Sequence, residues 1–147
     1  MRSISKRLPD FSAVMAIGLL IQFIVGMVTN LFFSIPIIIP GTQSLSFWPK
    51  FWSVLNWSLS YSNPVLEGHS GLGVLLVPLS WFFVFVAHRA KSWRYIVLGW
   101  IAALSMLFAA WNGILFLMDG QIALHSLWMA LGFVISLAMY GVGLRMK

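Results

Sequence analysis

Four long apolar runs, each free of Asp, Glu, Lys and Arg, constrain this chain more than any other feature. They cover approximately residues 11–35, 69–87, 95–118 and 122–144. Each approaches or exceeds the roughly 20 residues that a helix needs to cross a hydrocarbon core of roughly 30 Å. Because a bilayer offers no partner to unpaired backbone groups, and none of the runs alternates with a period of two, they are predicted to be helices, not barrel strands. We expect an all-α, polytopic membrane four-helix bundle forming a single membrane domain over residues 1–147.

Composition excludes most other protein classes. Hydrophobic residues make up 61% of the chain and charged residues only 8%, which is too little charge for a soluble or a disordered protein. The absence of cysteine excludes disulfides, zinc–thiolate sites, iron–sulfur clusters and thiol nucleophiles. The partner that this composition predicts is the lipid bilayer.

The basic residues predict the orientation. They precede the first run, fill the connection between the second and third runs, and end the chain, as Arg2, Lys6, Arg7, Arg89, Lys91, Arg94, Arg145 and Lys147. Lys50 alone falls on the other side, so the positive-inside rule predicts a cell-membrane protein with both termini cytoplasmic. The net charge of +6 is then explained by topology and by attraction to anionic lipid, with no nucleic-acid partner. The apolar stretch after Arg7 is too long for a signal-peptide h-region, so we expect the first span to be retained.

One long outer connection, residues 36–66, separates the first two spans. Pro36, Pro40 and Gly41 end the first helix. Apolar residues then recur at helical spacing, namely Phe51, Trp52, Leu55 and Leu59. The other side of the same helix is polar and carries Ser53, Asn56 and Ser60. We predict one short interfacial helix in this loop, and its aromatic residues favour a membrane-anchoring belt over a ligand-binding lid.

Each span carries one stripe of small and polar residues. The stripes are Gly18, Gln22, Gly26 and Asn30; His69, Gly73 and Ser80; Ser105, Ala109, Asn112 and Gly113; and His125, Met129, Gly132 and Ser136. Such stripes are typical of helix–helix seams in membranes. The ridge of Ser105, Ala109 and Gly113 is an alternative contact for a membrane partner or a homo-oligomer.

The larger polar groups cluster toward the outer leaflet. In the predicted topology these are Asn30, Glu67, His69, Asn112, Asp119 and His125. His69 and His125 start parallel helices at depths that differ by about 3–5 Å at 1.5 Å per residue. Two imidazoles on facing helices, with Gly73 and Gly132 beside them, could ligate one b-type haem, with Asn30 and Asn112 at similar height. Lys50 would pair with a propionate or, as an interfacial lysine, snorkel.

Several alternatives remain open. Glu67, His69, Asp119 and His125 are a plausible ligand set for a bare zinc, manganese or iron ion. A second alternative is a protein of another class, either a non-catalytic accessory subunit or a carrier of small solutes or ions. In such a protein the same polar groups would only bond the helices together. Hydrolytic catalysis is the weakest option: Ser70 and Ser126 each follow a histidine, but adjacent helical residues point about 100° apart, so neither pair forms a nucleophile and base by itself. Cross-helix pairs and the question of enzymatic activity stay open, with the balance against an enzyme. No second histidine faces His88, so a transmembrane haem wire is not supported.

Short motifs along the chain resemble a group of small, uncharacterised four-span membrane proteins of bacteria and archaea. The motifs are Gly26-Met27-Val28-Thr29-Asn30-Leu31-Phe32 ending near Pro36, His69 with Leu72-Gly73, Asn112-Gly113 with Phe116-Leu117, and Ser126 with Met129-Ala130 and Tyr140. The resemblance implies a compact four-helix bundle with Asn30, His69 and Asn112 near one outer-leaflet position, and no particular activity. A looser resemblance, through His69 and His125, is to four-helix membrane cytochromes b, and it implies electron transfer through one bis-histidine haem.

Overall fold

The computed structural model describes residues 6–146, which form five helices and no strand. Their bounds are α1 Leu8–Phe32, α2 Phe47–Ser60, α3 Pro64–Arg89, α4 Trp93–Met118 and α5 Ala123–Arg145. Helices α1, α3, α4 and α5 are long and apolar enough to cross a membrane. Arg2 and Lys147, which contribute to the predicted orientation, lie outside the described residues.

The four long helices form an antiparallel ring. Each packs against two others, in the order α1, α3, α4, α5 and back to α1. Gly18 faces Leu76 whereas Gly26 faces His69, so α1 and α3 run in opposite directions. One end of the bundle, called here the termini end, therefore holds the start of α1 and the end of α5, and the other, the α2 end, holds α2 and the α4–α5 turn. The predicted all-α four-helix bundle is confirmed.

A packed apolar core fills the bundle from the termini end to its middle. Its largest members, Phe83, Tyr140, Met15, Leu8 and Leu19, are fully buried. Phe83 lies edge-on to Tyr140, with ring centroids 5.3 Å apart, a favourable arrangement of two aromatic quadrupoles. The core thus joins all four long helices at this end.

Helix α2 packs across α3 and α4 instead of entering the ring. Phe51 and Val54 are buried against Leu117, Met118 and Ile39 in a second, smaller cluster. Trp52, which the sequence pattern places on the apolar face with Phe51, is exposed, and so is Trp48, which packs edge-on to Phe51. The exposed aromatic residues of this segment are Phe47, Trp48, Trp52 and Tyr61, and tryptophan and tyrosine favour the polar–apolar boundary of a bilayer.

The outward faces of the long helices are apolar. Large exposed side chains occur along all four, for example Ile24, Phe85, Leu104 and Val134. A surface of this kind is disfavoured in water and matches hydrocarbon. The chain is therefore a multi-pass integral membrane protein in contact with the lipid bilayer.

The helix bounds differ from the expected spans mainly at α3. This helix begins at Pro64 and not near His69, because the Asn63 side chain accepts hydrogen bonds from the amides of Val65 and Leu66. Asparagine at the cap followed by proline is a strong start signal. His69 consequently lies more than one turn inside the helix.

Candidate functional site

The seam between α1 and α3 brings Gln22 onto His69. The Gln22 amide nitrogen donates to the carbonyl oxygen of His69 at 3.0 Å and lies 3.4 Å from the ring Nε2. Because a carbonyl only accepts, this contact fixes which end of the amide faces α3. The ring Nε2 then acts as the acceptor, and the ring proton is on Nδ1.

Two polar atoms at this seam have no hydrogen-bond partner among the described residues. They are His69 Nδ1 and Gln22 Oε1, both buried. The imidazole lies against the backbone of α1 at Gly26, where a Cβ atom would be only 2.7 Å from the ring Cε1. Glycine at position 26 therefore makes room for the ring.

The seam between α4 and α5 uses both ring nitrogens of His125. Nδ1 lies 3.3 Å from Asn112 Oδ1, and Nε2 lies 3.2 Å from Asp119 Oδ2. The Asn112 amide nitrogen donates to the carbonyl of Phe108 at 2.9 Å, which turns its oxygen toward the imidazole. Both neighbours of the ring are thus acceptors, so the arrangement satisfies a histidine that carries two protons.

Close backbone contact completes this second seam. A Cβ atom at Gly132 would lie 2.6 Å from the carbonyl oxygen of Ser105 and 3.0 Å from Ala109 Cβ. The Ser136 hydroxyl shares its proton between the carbonyl of Gly132 in its own helix, at 2.9 Å, and the carbonyl of Ala102 across the seam, at 3.0 Å. The ridge of Ser105, Ala109 and Gly113 is therefore used inside the bundle, against α5.

These contacts bear on the predicted haem. Gly73 faces the Gln22 amide, with 3.2 Å from a Cβ position to Nε2, and Gly132 faces the backbone of α4. The places expected to receive the macrocycle are filled by protein atoms. Both ring nitrogens of His125 are also engaged within the protein, by Asn112 and Asp119, so the described arrangement does not fit a haem held between His69 and His125. Haem binding stays a prediction from the sequence.

The other candidate ligands lie apart. His69 is on α3 and His125 on α5, which are diagonal in the ring. Among residues 6–146, no group of three or more His, Cys, Asp or Glu side chains is close enough to hold a metal ion. Glu67 lies in the first turn of α3, and Asn30 is exposed while its neighbour Thr29 is buried. Asn30, His69 and Asn112 thus belong to three separate environments.

A crevice at the α2 end forms a site that was not predicted from the sequence, although two of its residues, Lys50 and Asp119, were candidates for other roles. It has a volume of about 610 Å³ and lies between the α1–α2 connection, the first turn of α2 and the α4–α5 turn. Its polar lining comes from Lys50, Asp119, Gln43 and Thr42. The sequence pattern assigned Lys50 to a haem propionate and Asp119 to a metal site, and only the fold brings the two charges to one cavity.

No family model, curated protein or solved structure matches the chain.

Proposed function

We propose that this chain is a non-catalytic membrane protein of the accessory-subunit kind, whose membrane-depth polar groups hold its own helices together. The observation that carries the proposal is the Asn112–His125–Asp119 arrangement, in which both imidazole nitrogens are already bonded within the protein. Gln22 and Ser136 likewise bond across helix seams. Such bonds are a common means of joining helices in a membrane.

The packed core argues against the carrier alternative. A carrier needs a path from its binding site to each side of the membrane in turn. Here the termini half is closed by fully buried side chains, including Phe83 and Tyr140. Among residues 6–146, the buried serine hydroxyls of this half, those of Ser12, Ser80 and Ser136, bond to carbonyls of their own helices, which supports a structural role over transport.

The proposal includes an orientation. The described basic residues Lys6, Arg7, Arg89, Lys91, Arg94 and Arg145 belong to the termini end, and Lys50 belongs to the α2 end. By the positive-inside rule, the termini end is cytoplasmic in the cell membrane, and the α2 end faces outward.

Absorbance tests this function against the haem alternative. The protein is purified in mild detergent from cells supplied with haem precursor, and the reduced-minus-oxidised spectrum and the metal content are recorded. We expect a colourless, metal-free protein. A split α-band and Soret signal in the parent, lost in both His69→Ala and His125→Ala, would replace the proposal with a bis-histidine haem protein.

Two further measurements test the accessory role. Since the chain has no cysteine, Phe83→Cys gives a single thiol in the core, and we expect it to resist a membrane-impermeant maleimide from either side. Labelling from the cytoplasmic side would favour a carrier. In mild detergent extracts of the native membrane, we expect the chain to migrate with a membrane partner in fixed ratio. Migration as a lone 16.5 kDa protomer would contradict the accessory role.

A further inference from the structure

The crevice at the α2 end holds two opposite charges that do not meet. Lys50 and Asp119 both line it, yet among residues 6–146 the ion pair found within 4.0 Å is that of Asp119 with His125. That pair engages Asp119 Oδ2, and the carboxylate side chain remains 41% exposed. The cavity therefore offers a cation and a free carboxylate oxygen with space between them.

The walls of the crevice are fixed by the fold. The Gln121 side-chain amide donates to the carbonyl of Ile35 at 2.8 Å and so ties the α4–α5 turn to the α1–α2 connection. Gly120 has φ of +71° and packs close to Ile37. Ile39 is buried against α2 and α4, and Thr42 donates back to its carbonyl at 2.8 Å. The crevice is a built part of the structure and not a gap between loose loops.

The helix ends around the crevice add to its polarity. Helix α5 starts at Ala123 after Ile122, whose side chain cannot cap the first amides. An uncapped helix N-terminus favours an anion. Helix α4 ends at Met118 with no basic residue in its last turn, and a helix C-terminus favours a cation. Both ends border the same cavity.

The rim is apolar and points to a lipid. Ile37, Ile38 and Ile122 line the crevice and are 69%, 59% and 50% exposed. The exposed aromatic residues Trp48 and Tyr61 are at the same end of the bundle, and such residues favour the headgroup level. A ligand bound here would therefore place its polar part beside Lys50 and Asp119 and its apolar part against isoleucine and the bilayer.

We propose that this crevice binds the headgroup of a phospholipid that carries both a phosphate and a primary ammonium, namely phosphoethanolamine. The phosphate pairs with the Lys50 ammonium, on the side of the crevice that Ile122 and the N-terminus of α5 border. The lipid ammonium donates to Asp119, and the glycerol and acyl chains follow the isoleucine rim. The volume of about 610 Å³ is within the range of ligand pockets.

Native mass spectrometry of the detergent-purified protein tests this proposal. Phosphatidylethanolamine, phosphatidylcholine and phosphatidylglycerol with identical acyl chains are added in turn, and the bound fraction is measured. We expect phosphatidylethanolamine to bind best, because the choline ammonium has no N–H to donate and the glycerol headgroup has no positive charge. Lys50→Gln and Asp119→Asn should each weaken its binding about tenfold, the loss of one charge-assisted hydrogen bond.

The controls are the exposed charges of the termini end, Lys91→Gln and Asp10→Asn, which should leave lipid binding unchanged. Lys50→Gln leaves the His125 pair intact, so it tests the crevice even if Asp119→Asn lowers stability. Equal binding of the three lipids, or no effect of Lys50→Gln, would overturn the proposal. Equal competition by soluble phosphoethanolamine would also overturn the assignment to a lipid.

Discussion

Replacing Gly132 by alanine is the sharpest test of the α4–α5 seam. The added methyl would lie 2.6 Å from the carbonyl oxygen of Ser105 and 3.0 Å from Ala109 Cβ. Both neighbours belong to α4 and cannot swing away as a flexible side chain could. To restore ordinary contact at about 3.4 Å, the two helices must separate by about 0.8 Å at this point.

The cost of this separation follows from packing. A gap of about 0.5–1 Å removes a quarter to a half of the dispersion energy of each contact it opens. The same displacement lengthens the hydrogen bond from Ser136 to Ala102, now 3.0 Å. Overpacking of this kind costs about 1–3 kcal/mol, so we expect Gly132→Ala to lower the free energy of unfolding by that amount.

Equilibrium unfolding in mixed detergent micelles, with SDS as the denaturant and tryptophan fluorescence as the signal, measures this loss. The matched control is Gly141→Ala on the same helix, where a Cβ atom would have no neighbour within 4 Å. Alanine there should leave stability unchanged or raise it, since glycine is the poorer helix former. Equal stability of the two variants would refute the close α4–α5 packing.

Three further predictions concern the other seams and the topology. Gly26→Ala should push the His69 ring away from α1, because only 2.7 Å separates the Cβ position from the ring Cε1, and should lower the free energy of unfolding by about 0.5–1.5 kcal/mol in the same assay. The control is Gly68→Ala, where an added Cβ lies in open space, and equal stability of the two variants would contradict the α1–α3 seam. A single cysteine at Ser44 should react with an impermeant maleimide added to intact cells, whereas one at Arg89 should react only after cell lysis. The reverse pattern would contradict the proposed topology. Tyr95→Phe removes the hydroxyl bonded to the carbonyls of Gly143 and Met146 at 2.9 and 2.8 Å, so amide exchange in the last turn of α5 should quicken, and unchanged exchange would contradict this role.

Much of the fold could be predicted from sequence because hydrophobic length dominates in a membrane. The four apolar runs predicted α1, α3, α4 and α5. Members of their small and polar stripes lie in the seams, such as Gly26 on His69 and Gly132 on α4, although Asn30 of the first stripe is exposed. The start of α3 differed because its first turn is set by the Asn63 cap and Pro64, a local signal outside the hydrophobic pattern.

The candidate site was harder to predict. Depth along parallel helices placed His69 and His125 at one level, but depth does not determine which helices are neighbours. The two histidines bond to different partners, Gln22 and Asn112, across separate seams. The sequence pattern placed Gln22 in the polar stripe of the first span, but nothing in its distance along the chain from His69 predicted that the two side chains would be in contact. The placement of Lys50 and Asp119 in one crevice depends on loop packing, which periodicity does not encode.

A double-mutant cycle between Asn112 and His125 tests most directly whether membrane-depth polar groups join the helices of this protein. His125→Ala, Asn112→Ala and the double variant are compared with the parent by unfolding in SDS micelles. Their 3.3 Å contact predicts a favourable coupling energy of about 0.6 kcal/mol, the average for interhelical hydrogen bonds in membranes, and no more than about 1.7 kcal/mol. Additive effects, with a coupling energy of zero, would contradict the account and return His125 to the search for a ligand.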